Sequence, residues 1–243
     1  MRHSAGVMTN AAYKLYPHGD LESPIGGVWM VSGRSAFPLY RRMTVWKLPD
    51  GTLVAHSVIA MDDARMAALD ALGRASIILV PNSLHRLDAG FYKKRYPDAR
   101  VVAPAAARAK VEAVIAVDAL AEDELPRHGV TVHPLTGWKH GEVGYELALP
   151  GGGRALVLSD VLTNANPVPG FGGWVSSNIT TAVKGPLGVA RIMKLAMVKD
   201  RAAARAGLAR LADIPDLRLV STAHGLPVLA DCADALRAGA ASL

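Results

Sequence analysis

The sequence predicts an α/β domain, and three observations point to it. Short apolar runs such as 77–80 alternate with segments whose apolar residues recur at helical spacing, such as Met66, Leu69 and Leu72. Strand-like runs are separated by strong turn chemistry, Pro49-Asp50-Gly51 and Pro150-Gly151-Gly152-Gly153. Polar residues gather just after the ends of the apolar runs, at 82–88, 138–140, Asp160 and His224. Such strand ends are where α/β proteins place their sites.

Residues 1–42 hold several Gly, Pro and Ser and read as an N-terminal extension with one short strand at 27–31. The domain proper is expected over 43–243. It opens with a hairpin, 44–48 and 52–56, around Pro49-Asp50-Gly51. Residues 62–72 carry acidic side chains at the start and stop at Gly73, which predicts a helix. The run 77–80 is apolar throughout, as a strand buried on both faces requires. A short helix is expected at 91–96, a strand at 100–103, an Ala-rich helix at 105–114 and a strand at 130–134. A second hairpin, 144–149 and 154–158, surrounds the Pro-Gly-Gly-Gly turn. Residues 163–188 are rich in Gly, Pro and Asn and read as a long connection. A helix over 200–211, starting as early as 189, a buried strand at 217–221 and a helix at 232–237 complete the chain.

Composition excludes several classes. With 243 residues and 51% apolar content the chain can bury a large core, so global disorder is out. One cysteine excludes a disulfide framework and a Cys-rich metal cluster. No repeat recurs at a fixed period, which removes solenoids and coiled coils. The net charge of +6 is spread in short groups such as Arg41-Arg42 and Lys93-Lys94-Arg95, without a basic stripe carrying interleaved aromatics, so no nucleic-acid partner is expected. The first twenty residues lack the apolar core of a signal peptide, and no stretch approaches the ~20 apolar residues of a membrane span. The expectation is a cytoplasmic protein acting on a small molecule, with no membrane partner.

Four segments end a strand on an ionisable residue: VPNSLHRLDAG (80–90), VHPLTGWKHGEVGYEL (132–147), ALVLSDVL (155–162) and LVSTAHGLPV (219–228). Their order, spacing and flanking glycines resemble the metallo-β-lactamase superfamily, in a branch whose first metal motif is degenerate. The resemblance runs from Met43 to Val228. It implies a four-layer αββα sandwich with a metal site at one edge. In that superfamily the segments carry an H-x-H-x-D-H motif, a T-P-G-H-type loop, a bridging G-D carboxylate and a terminal G-H-G.

Position by position, His85 falls on the second motif histidine, Asp160 on the bridging carboxylate and His224 on the last histidine within Ala-His-Gly. Ser83 and Leu87 stand where the first histidine and the aspartate would be, and Asp88 stands where the third histidine would be. Trp138 takes the place of the loop histidine after Thr136-Gly137. The resemblance therefore implies at most one divalent ion, Zn, Mn or Fe, held by His85, Asp88, Asp160 and His224, with Asp88 and Asp160 the carboxylates closest to the chemistry. The implied activity is metal-dependent hydrolysis of an ester, lactone or related bond.

The residues themselves leave a second reading open. Each histidine could be a hydrogen-bonded structural residue and Asp160 a turn cap, in a metal-free protein that keeps the fold without catalysis. Trp138, with Phe171 and Trp174 of GFGGW, is expected to line an apolar pocket or to fill a core defect. His133 and His140 are further histidines beside the expected ligand positions. There is no G-x-S-x-G elbow, and Ser57, Ser83 and Ser159 fall in no recognisable triad order.

Overall fold

The computed structural model describes residues 13–35, 39–139, 141–164, 169–180 and 187–243, without the side chains of 177 and 180. Eleven strands form two sheets among these residues. The first sheet contains β1 (Glu22–Ile25), β2 (Val28–Arg34), β3 (Tyr40–Lys47), β4 (Leu53–His56), β5 (Ala75–Leu79), β6 (Arg100–Ala103) and β7 (Ala119–Leu120), ordered as in the chain. It is antiparallel up to β4 and parallel from β4 to β7. The second sheet runs β11-β10-β9-β8, with β8 at Thr131–Leu135, β9 at Glu142–Ala148, β10 at Arg154–Val157 and β11 at Leu217–Ser221. Only β10 and β11 pair in parallel there.

Alternation along the strands explains why the sheets stack. Val28 and Met30 of β2, Trp46 of β3, Val54 of β4 and Ile77 and Leu79 of β5 share one core cluster with Val143, Tyr145 and Leu147 of β9 and Ala155 and Val157 of β10. Their neighbours in sequence point the other way. Val31, Met43, Val45, Leu53, Ala55 and Ile78 form a second cluster with Met66 and Leu69 of α1 (Asp63–Leu72) and Phe91 and Tyr92 of α2 (Ala89–Arg95). Leu156, Leu158 and Val220 join Leu208 and Leu211 of α7 (Arg201–Leu211) and Leu236 of α8 (Cys232–Ala241) in a third. Helix, sheet, sheet, helix is the layer order.

Short helices fill the connections: α3 (Arg108–Glu112), α4 (Ala121–Glu124), α5 (Phe171–Val175) and α6 (Arg191–Ala196). The sheet begins at Glu22, ahead of residue 43, where the sequence suggested that the domain starts. Val28 and Met30 are as buried as any core residue, so β2 is part of the sandwich rather than an appendage. Its Gly, Ser and Arg residues hid the alternation. The helix expected from 189 or 200 to 211 is two helices, α6 and α7. The break has a cause. The backbone of 197–200 pairs with 137–139, with Lys139 N–H donating to Met197 O and Lys199 and Asp200 N–H both donating to Gly137 O. Asp200 then caps α7 by accepting from the Ala203 N–H at 3.0 Å.

Candidate metal centre

The site lies at one edge of the sandwich, where strands of both sheets end. β5 runs out into the loop carrying Asn82 and His85, β10 into Ser159-Asp160 and β11 into His224. The first turn of that loop is built by Asn82, whose Oδ1 accepts from the Leu84 N–H at 2.8 Å and from the His85 N–H at 3.3 Å. This local turn swings the His85 ring back under the sheet edge, where it is buried. Two bonds from Arg42 of β3 hold the last loop in place. Arg42 N–H donates to Ala223 O at 2.7 Å, and Arg42 Nε donates to Gly225 O at 2.6 Å.

His85 Nε2 and His224 Nε2 both face Asp160 Oδ1, at 3.1 and 2.9 Å. One ligand atom from each of the three residues lies within 4.8 Å of the other two. Each imidazole is anchored from behind. His224 Nδ1 donates to the Tyr40 carbonyl at 2.7 Å, and His85 Nδ1 pairs with Ser57 Oγ at 2.8 Å. Asp160 Oδ2 accepts from Asn82 Nδ2 at 2.6 Å, which also lies 3.1 Å from Ser159 Oγ and 3.3 Å from Glu142 Oε1.

Burial and charge set the protonation states. Burial would raise the Asp160 carboxyl, but the two imidazoles outweigh it and hold it well below the usual carboxylate range. Burial lowers His85 below the ordinary imidazole value, against the pull of Asp160. Glu142 is pushed up to about 8 by burial and then by the Asp160 charge, so it keeps its proton at neutral pH. His56, enclosed between the sheets with neither ring nitrogen bonded, falls to about 3, first from burial and then from His85.

These residues fit a divalent cation. A carbonyl can only accept, so the bond to Tyr40 commits the proton of a neutral His224 to Nδ1 and leaves its Nε2 lone pair facing a carboxylate oxygen. Two acceptors at that distance call for a cation or a further proton between them. Ligands at about 2.1 Å and tetrahedral angles stand about 3.4 Å apart, so the two histidine–aspartate spacings, 3.1 and 2.9 Å, need only a few tenths of an ångström of opening.

The expected site residues divide. His85, Asp160 and His224 come together, although they arise from three separate strand ends. Asp88 does not join them. Its Oδ2 accepts from Arg41 Nη2 at 2.5 Å and from the Ala60 N–H at 3.3 Å, because the start of β3 brings a guanidinium to it. Trp138 lines no cleft with Phe171 and Trp174. Its backbone bridges Val198 and its ring is buried with Met197 and Leu208 beneath the helices. Phe171 and Trp174 lie in solvent on α5, stacked on each other with centroids 6.4 Å apart. His133 pairs with Glu146 at 2.8 Å, and His140 lies outside the described residues.

The sequence alone assigns no site role to Tyr40, Arg41, Ser57, Asn82 or Glu142. The first two sit in the stretch taken for an extension. Ser57 follows His56 at the end of an apolar run and Asn82 follows Pro81, so the same strand-end signal that flagged His85 was present for both. Glu142 carried no signal; only burial makes it unusual.

No family profile and no curated protein matches the sequence. Solved structures share its fold. The metallo-β-lactamase FIM-1 from Pseudomonas aeruginosa, in its mono-zinc form, superposes with a TM-score of 0.61 at 10% identity, covering 95% of this chain and 99% of that one. A metallo-β-lactamase from Erythrobacter litoralis, with β-mercaptoethanol in its active site, gives 0.63 at 12% identity over 92% and 96%. One from Hirschia baltica gives 0.58 at 13% identity over 90% and 97%. Stacked sheets, helices on both outer faces and these superpositions together show that the chain has the metallo-β-lactamase fold.

Proposed function

We propose that the chain is a hydrolase of an ester, lactone or related bond that uses one divalent cation held by His85, Asp160 and His224. The observation that carries this reading is the pair of imidazole Nε2 atoms facing one carboxylate oxygen while each Nδ1 is bonded from behind. A hydrogen bond to the far ring nitrogen fixes the tautomer and orientation of a metal-binding histidine in this way. A cation there supplies Lewis-acid polarisation and a nucleophile at neutral pH.

The chain's own residues limit the site to one ion. Ser83 keeps its proton at neutral pH, Leu87 and Trp138 carry no ligand atom, and Asp88 is neutralised by Arg41. Asn82 orients Asp160 through Oδ2 and leaves Oδ1 to face the imidazoles. The Glu142 carboxyl stays protonated beside it, so a second negative charge is kept out of the pocket floor. The mono-zinc state of the FIM-1 structure is a precedent for one ion in this fold.

Elemental analysis of protein purified without chelator tests the reading. One equivalent or less of Zn, Mn or Fe is expected, lost in His224→Ala and in Asp160→Asn, together with hydrolysis of an aryl ester or lactone panel. Two tightly held equivalents would overturn the single-ion site. A chain that takes up neither Zn²⁺ nor Mn²⁺ would instead be the metal-free relic.

A further inference from the structure

We infer that the face formed by α5, the turn at 176–180 and α6 docks on an anionic phospholipid surface. Residues 161–199 contain no Asp or Glu and four basic residues, Lys184, Arg191, Lys194 and Lys199. In the structure the same stretch displays large apolar side chains to solvent. Phe171 is 82% exposed, Trp174 56% and Leu195 83%, with Ile179 and Ile192 about half exposed. α6 has no buried residue, and it packs on the turn at 176–180 that continues α5. Isolated exposed apolar residues are ordinary, but five of them on packed elements, with none of the described residues covering them, are not.

Arg191 and Lys194 lie on α6 with the exposed Ile192 and Leu195. Arg191 and Arg201 approach Lys194 closely enough that their charges, after burial, lower its ammonium. Apolar side chains rimmed by cations, with a tryptophan among them, suit a headgroup boundary. The same composition argues against a second copy of this chain. A two-fold dimer through this face would set each basic cluster against its own equivalent, with no acidic residue of the 161–199 stretch to relieve it. It also argues against nucleic acid, because Phe171 and Trp174 stack on each other at 15° and the remaining apolar groups are aliphatic.

The face is joined to the candidate metal centre. Thr163 pairs with Gly188 at the base of the segment, and Asn164 N–H donates to His224 O at 3.1 Å. The sequence expectation of no membrane partner rested on the lack of a spanning run, which surface docking does not need. No described helix is long and apolar enough to cross a bilayer.

Co-sedimentation of the full chain with vesicles tests this. The chain should sediment with phosphatidylcholine–phosphatidylglycerol vesicles, sediment poorly with phosphatidylcholine alone, and be released by salt. Phe171→Ser/Trp174→Ser should lower partitioning at least about tenfold. Arg191→Glu, which removes one positive charge and adds a negative one, should lower it by at least roughly fivefold. Far-ultraviolet circular dichroism, urea midpoint and metal content of both variants should match the parent, so failure here is distinct from failure of the metal centre. Three results would overturn the inference: no binding to anionic vesicles, equal binding by the double variant, or a parent dimer that the double variant dissociates without any vesicle binding.

Discussion

Ser57 shows how much one residue can carry. It is fully buried, lies in the left-handed region with φ 56° although it is not glycine, and places Oγ 2.8 Å from His85 Nδ1. Such strain persists only where the surroundings enforce it. Ser57→Ala should weaken Zn²⁺ or Mn²⁺ binding by about 10- to 100-fold with little change in fold, which titration calorimetry reads. His56 makes a different prediction. Its folded value, about 3, lies below the ordinary 6.5, so the unfolded chain binds the extra proton as pH falls between those values. Stability from this group is therefore complete above pH 6.5 and is lost toward pH 3, at up to about 1.4 kcal/mol per pH unit. Glu142 runs the opposite way. Its proton is retained in the fold up to about 8 against an ordinary 4.5, so stability is complete below 4.5 and is lost as pH rises to 8. In urea titrations across pH, His56→Phe should remove the loss of stability between pH 6.5 and 3, and Glu142→Gln the loss between pH 4.5 and 8. A variant that leaves its own loss unchanged would remove that group from the account.

At the scale of elements, the contact between 137–139 and 197–200 decides where α7 begins and where Trp138 points. Gly137 sits at φ 87°, and a Cβ there would meet Asp200 O at 2.4 Å and Ala204 N at 2.5 Å. Only glycine allows this approach. Gly137→Ala should cost at least about 2 kcal/mol, since backbone atoms rather than a flexible side chain must move. Asp200→Ala, which removes only the cap, should cost about 1 kcal/mol. Chemical denaturation with unchanged m-values would measure both. If Gly137→Ala proved as mild as the cap variant, the close backbone contact would not be what separates α6 from α7.

For the whole molecule, the site joins three loops from two sheets, so a cation bound there bridges elements that separate on unfolding. At a hundredfold excess over its Kd, such an ion adds about 2.7 kcal/mol to stability. For a chain of this size that raises Tm by about 5–10 °C, and EDTA should reverse it. His85→Ala should show no such rise. Much of this architecture was legible in the chain. Short apolar runs, the turns at 49–51 and 150–153 and the strand-end positions of His85, Asp160 and His224 are local features, and local sterics and hydrophobic patterning are written residue by residue. β2 was only partly legible, because Gly33, Ser32 and Arg34 break the pattern and its partner strand β3 supplies the missing definition. Only the tertiary structure decided that Asp88 belongs to Arg41, that Trp138 serves the core and that Tyr40, Ser57 and Asn82 surround the imidazoles. Each depends on which distant backbone arrives next to it. A side chain's charge and shape are fixed by its own residue, but its hydrogen-bond partner is set by the packing of strands far apart in sequence.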